Sequence, residues 1–173
     1  GLNVGDEYMG RNKKFGRWRD THVRFKGPAV LAAELSFRED WQWATGKDLK
    51  TVPIGDVEIA GDQSMLIMPT GPADELESCA IAFDDVIGQS NKRLWIVSPY
   101  FVPDVSMETA LFAAQMRGVD VRILIPDKPD HRLVWLASIA FAFRMVKHGI
   151  DVYRYKDGFL HQKVILVDDK LAG

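Results

Sequence analysis

The sequence predicts an α/β fold, a mainly parallel sheet flanked by helices, and three observations point there. From Met65 onward, short runs rich in β-branched and apolar residues (RLWIVSP, DVRILIP, DVYRY, KVILV) alternate with helix-patterned segments of ten residues or more. Gly118 and Gly149 each stand just past the end of such a segment, where a left-handed residue closes a last helical turn. Across 173 residues, 47% are hydrophobic and 27% charged, enough apolar material for a real core under an ordinary surface.

Taken in order, Thr21 to Phe25 (THVRF) alternates as a strand. Gly27-Pro28 then opens a helix from about Ala29 to Ala44, with proline near the first turn, where its missing N–H costs nothing. Leu31, Leu35, Phe37 and Trp41 give that helix an apolar stripe. From Thr45 to about Gln63 the chain is rich in Gly and Asp with weak periodicity, the pattern of a linker. A second set comes next: strand MLIMP, a helix from about Asp74 to Ile87, and strand RLWIVSP. After it come a helix from about Val105 to Arg117, strand DVRILIP, a helix from about Leu133 to Lys147, strand DVYRY and finally KVILV.

Composition excludes several roles. A net charge of −2 advertises no affinity for nucleic acid. The single cysteine, Cys79, rules out an internal disulfide, and its apolar setting CAIAF suits a buried structural thiol. The longest greasy stretch, LVWLASIAFAF, is too short to span a bilayer and is flanked by His131, Arg132 and Arg144.

The chemistry concentrates near the end, in HQKVILVDD. His161, Lys163 and Asp168 have the spacing His-x-Lys-x4-Asp inside an apolar, β-branched run. Side chains two apart on a strand share a face, so His161 and Lys163 project together. Asp168 has the opposite parity to His161, so on a regular strand it fixes the strand end instead of meeting a ligand. An imidazole beside an ammonium suits phosphodiester chemistry: a nucleophile or proton donor, and a fixed cation for charge on phosphorus. Spacing alone leaves His161 open between that role and a core residue.

The other histidines lack a motif. His22 sits in a strand-like run as a core or rim residue, His131 in a first helical turn, and His148 in a last turn where positive charge suits the helix dipole. No cluster has metal-ligand spacing, and Lys163 beside His161 would repel a cation, so metal-independent chemistry without a cofactor is expected.

Several segments in order carry a family resemblance. GFLHQKVILVDDKLAG resembles the second His-x-Lys-x4-Asp motif of bacterial cardiolipin synthases, in the phospholipase D superfamily. The opening GLNVGDEYMG resembles the segment just after their first motif, and FGRWRDTHVRFKGPAV, SPYFVPD and RGVDVRILIPD also look like that family. The resemblance covers essentially the whole chain. It implies a phospholipase D-like fold of two similar halves, each giving one motif to a shared site. Residues 1–50 would then be the tail of the first half, 51–63 a linker, and 64–173 the second half to just past its motif. The first motif's His and Lys would lie before Gly1, and the second motif's Asn beyond Gly173.

By the same resemblance, the catalytic set is His161, Lys163, Asp168 and Asp20, with Asn3 binding the substrate phosphate. Asp20, in RWRDTHV, matches the acidic residue that orients the other half's histidine; Asp6 and Glu7 compete for that role, and pairing with Arg19 or Arg24 is the plainer alternative. The implied reaction makes cardiolipin and glycerol from two molecules of phosphatidylglycerol through a phosphohistidine, at the surface of a bacterial cell membrane. One histidine attacks while another protonates the leaving alcohol, so this chain alone is expected to be inactive. The alternatives are a single-motif phosphodiesterase or nuclease completed as a homodimer, and a non-catalytic phosphate-binding domain. Arg11, Lys13, Lys14, Arg17 and Arg19, interleaved with Phe15 and Trp18, form either a solvated loop or a patch for anionic lipid headgroups. Tyr100 and Phe101 stand where open α/β sheets bind ligands, or else pack against a helix.

Overall fold

A computed structural model describes residues 3–49, 61–71 and 74–173. The chain divides into two compact units: Gly1–His22 with Ala80–Gly173, and Val23–Cys79. Most of the linker expected at 51–63 falls outside the described residues.

The larger unit is built on strands whose alternate residues are apolar. β1 (Trp18–Arg19) is short and precedes the second unit in sequence. In the second unit, α1 (Ala29–Thr45) follows Pro28 and ends at Gly46, whose φ of 67° places it in the left-handed region where its N–H reaches Gln42 O. None of the residues of α1 is buried, and the stripe Leu31, Leu35, Phe37 and Trp41 is exposed. α2 (Ser78–Gly88) leads into β2 (Arg93–Val97), α3 (Val105–Met116) and β3 (Asp120–Pro126). Then come α4 (Arg132–Lys147), β4 (Asp151–Tyr155), β5 (Phe159–Leu160), β6 (Val164–Val167) and β7 (Leu171–Ala172).

A five-stranded sheet runs in the order β4-β3-β2-β6-β7, and β1 pairs with β5 in a separate two-stranded one. The first three strands are mutually parallel, joined by crossovers through α3 and α4, as the βαβ reading requires. β6 runs antiparallel to β2, Val164 facing Val97, and turns back as β7. The core lies where alternate residues of three strands meet the helices: Leu94 and Ile96, Val121 and Ile123, Ile165 and Val167, against Leu111, Ala114 and Met145. Asp104 caps α3, its carboxylate accepting from Met107 N at 2.8 Å. Buried Glu108 of α3 meets Arg144 of α4 at 2.5 Å, so the charge is paired where it is desolvated.

Three expectations need correcting. THVRF and MLIMP form no strand, because neither has a paired neighbour among the described residues and alternation alone does not make a ladder. Cys79, in the first turn of α2, is only half-buried. His161 and Lys163 lie between strands, not within one. The ladder changes partner there: β5 pairs with β1, β6 pairs with β2, and residues 161–163 cross from one sheet to the other.

Candidate active site

The crossover at 161–163 is held by the segment around β1. Phe159 N donates to Arg17 O at 2.9 Å and His161 N to Arg19 O at 2.8 Å. Arg19 Nε donates to Gln162 Oε1 at 2.8 Å, and Gln162 Nε2 donates to Thr21 Oγ1. Aromatic packing adds apolar contact, with the Trp18 ring 4.6 Å from Phe159 and 5.1 Å from His161. Gly158 makes this approach possible, because a Cβ there would collide with Arg17 O.

Within this frame Asp20 Oδ2 lies 2.9 Å from His161 Nδ1, the two side chains 14% and 19% exposed. Burial alone would raise the pKa of Asp20. Hydrogen bonds from His161 and from the Thr21 amide, among other contacts, outweigh burial and hold it at about 2. A carboxylate at Nδ1 fixes the ring's orientation and directs Nε2 away from Asp20. Nε2 meets Lys163 Nζ at 3.2 Å, and the same ammonium donates to His161 O at 3.1 Å. In the neutral ring, an ammonium facing Nε2 meets the nitrogen's lone pair there and leaves the imidazole proton on Nδ1, toward Asp20; a ring protonated on both nitrogens makes Nε2 a donor as well. Among the described residues no carboxylate forms an ion pair with Lys163, so its charge is available to an anion.

Asp168 stands at the other end of β6 and takes no part in this cluster. Its carboxylate accepts from the backbone N–H groups of Asn91, Lys92 and Arg93 at 2.8, 2.7 and 2.9 Å. The bond from Arg93, then that from Lys92, lowers its pKa to about 2, against the opposing effect of burial. It therefore ties the exit of β6 to the entrance of β2. Asn3 is exposed, and no described hydrogen bond joins it to His161 or Lys163. Asp6 faces Arg11 at 3.5 Å, not the imidazole.

His22 is exposed, His131 occupies the N-cap position of α4 without a side-chain capping bond, and His148 packs on the Phe112 ring at 4.3 Å, so none of them joins His161. Tyr100 does join. Its ring centroid is 6.3 Å from that of His161 and 5.8 Å from Lys163 Nζ, while neighbouring Phe101 is 3% exposed in the core. SPYF thus gives one aromatic to the site and one to packing. An open groove of about 240 Å³ adjoins, lined by Phe83, Ile96, Met107 and Ile165 along with Tyr100 and Lys163. Among the described residues no group of His, Cys, Asp and Glu could hold a metal ion, and no helix is long and apolar enough to cross a membrane.

Comparison with known proteins agrees with the motif. Cardiolipin synthase A of Pseudomonas entomophila is 48% identical over 172 residues, covering 99% of this chain and 36% of that protein. The protein of the same name from Pseudomonas putida is 47% identical over the same shares. The chain thus spans about a third of the length of these curated relatives. Among solved structures, Nuc from Salmonella typhimurium, a phospholipase D family member, shares 28% identity over 51% of this chain and 57% of that one, with a TM-score of 0.42. The family model described as cardiolipin synthase, PLD-like domain, matches residues 83–172, and the chain belongs to that family.

Proposed function

We propose that the chain supplies half of the active site of a cardiolipin synthase, a phosphatidyl transferase acting on two molecules of phosphatidylglycerol at a membrane surface. The observation that carries this reading is the row Asp20, His161, Lys163, an oriented imidazole with an unneutralised ammonium beside its outer nitrogen. Similarity to cardiolipin synthases over nearly the whole chain supplies the substrate. On this reading residues 1–50 belong to a first half and 64–173 to a second, and a second His-x-Lys pair comes from the rest of the protein.

The reaction divides into two displacements at phosphorus. In the first, a histidine nitrogen of the other motif bonds to phosphorus, and the bond from phosphorus to the glycerol oxygen breaks. His161 Nε2 gives that oxygen its proton, and glycerol leaves. In the second, His161 Nε2 takes the proton from a hydroxyl of another phosphatidylglycerol. That oxygen bonds to phosphorus, and the phosphorus–nitrogen bond breaks to release cardiolipin. Lys163 stabilises charge on the non-bridging oxygens in both steps.

The test uses the full-length protein in detergent with labelled phosphatidylglycerol. The wild type forms cardiolipin and glycerol in equal amounts. His161→Ala lowers turnover by about 10²–10⁴-fold or more, as loss of a general acid does, and Lys163→Ala lowers it comparably. The isolated chain forms no cardiolipin, because one imidazole cannot attack and protonate at once. Wild-type turnover in the His161 variant would overturn the proposal.

A further inference from the structure

Tyr100 has no role in the reaction as written, yet its surroundings are specific. Its hydroxyl donates to Asp130 Oδ2, in the loop before α4, and Asp130 Oδ1 accepts from His131 N at 2.7 Å. The phenol is thus tied to a carboxylate that is itself fixed to the backbone. Burial, then the bond to Asp130, pushes its pKa above the usual tyrosine value. A phenol that keeps its proton and spends it on Asp130 is not a proton donor to substrate. What remains free is the face of the ring, and Lys163 Nζ lies 5.8 Å from the centroid.

A lysine head on a four-carbon stem samples many rotamers unless something holds it. An acidic neighbour would hold Lys163 but would also neutralise it. The contacts present do otherwise: a lone pair of His161, a backbone carbonyl and an aromatic face fix the ammonium without cancelling its charge. We infer that Tyr100, anchored by Asp130, is a positioning residue that holds the Lys163 ammonium beside His161 for the substrate's phosphoryl oxygens. The inference rests on the proposed transfer reaction. Because phosphoryl charge is redistributed most in the transition state, misplacing the ammonium lowers kcat more than it raises KM.

The test compares Tyr100→Leu, Tyr100→Phe and Asp130→Asn in the full-length enzyme, with inorganic phosphate as a probe of the cation site. Tyr100→Leu removes the aromatic face, and kcat falls about 3- to 30-fold, the range a cation–π contact spans, with KM changed less. Phosphate inhibition weakens alongside. Tyr100→Phe keeps the face and recovers most of the loss, and Asp130→Asn resembles Tyr100→Phe. In a Lys163→Met background, Tyr100→Leu leaves phosphate inhibition unchanged, a result that a general packing defect would not give. Equal turnover in the Leu and Phe variants overturns the inference, and so does undiminished phosphate binding in the Leu variant. If the Leu variant does not fold, Tyr100→Met, which keeps bulk without an aromatic face, takes its place, and wild-type kcat and phosphate inhibition in that variant overturn the inference instead. A wild-type enzyme without transferase activity would refute the proposed reaction, whereas an active wild type with insensitive Tyr100 variants refutes this inference alone.

Discussion

The two ends of the segment from Phe159 to Asp168 are held by the same device put to different uses. At the first end Asp20 reaches an imidazole 141 residues away in sequence. At the second, Asp168 reaches three consecutive backbone N–H groups at the start of β2. Both carboxylates are held at about 2 by hydrogen bonds that outweigh burial. A depressed carboxylate therefore does not by itself mark chemistry. The partner decides: a carboxylate on backbone amides fixes a strand, and one on a ring nitrogen fixes a reactive group.

Exchanging each carboxylate for its amide separates the two roles. Asp20→Asn in the full-length enzyme leaves the ring's geometry nearly intact but can favour the wrong tautomer, and turnover falls on the order of 10²-fold or more. Steady-state assay of a variant with an unchanged unfolding midpoint gives the measurement. Turnover within a few-fold of wild type would reduce Asp20 to a surface partner of the nearby arginines.

Legibility in the sequence divides along the same line. β2, β3, β4 and the helices between them announce themselves through apolar alternation and capping residues, because each is stabilised by its own pattern facing one core. Asp168 does sit at the end of β6, but parity from His161 is not the reason, because the strand is broken at 161–163; its bonds to the amides of β2 and the preceding turn hold it there. β1 and β5 are two residues each and carry no periodicity, so only the assembled chain shows their pairing. The break of the strand at 161–163 is hidden for a similar reason: QKVILV has strand composition throughout, and the change of ladder partner is a tertiary event. Tyr100 is visible in SPYF, but nothing local distinguishes it from Phe101. The difference comes from Asp130, thirty residues away.

An intermediate effect comes from breaking the frame without touching either carboxylate. Gly158 has φ of +134°, and its absent Cβ leaves room for Arg17 O. Gly158→Ala pushes the β1 segment away from β5, so Asp20 loses its registration with His161 while the five-stranded sheet stays paired. Turnover falls about 10-fold or more, as small misplacements of catalytic groups do. Hydrogen exchange should show faster exchange of the amides of Phe159 and His161, which donate to Arg17 and Arg19, with β2 and β3 unchanged. Unchanged protection of the Phe159 and His161 amides would mean that β1 remains docked despite the added methyl.

The smallest effect on turnover belongs to the other end. Asp168→Asn exchanges an ionised acceptor for a neutral one, weakening its bonds to the amides of Asn91, Lys92 and Arg93, yet nothing at the imidazole changes. Turnover per folded molecule stays within about 2-fold, the range of an effect outside the transition state, while the unfolding midpoint at neutral pH falls. The pH dependence gives an independent sign. The carboxyl of Asp168 is lowered from 3.8 to about 2 on folding, so its contribution is fully present above about pH 4 and is lost as pH falls through about 2. The variant has no such group. The gap in stability between wild type and Asp168→Asn should therefore narrow as pH falls from about 4 to about 2 and stay constant above that window. A gap that persists unchanged in acid would mean that the amide fails for reasons of shape, and that charge at the end of β6 does nothing to hold β2.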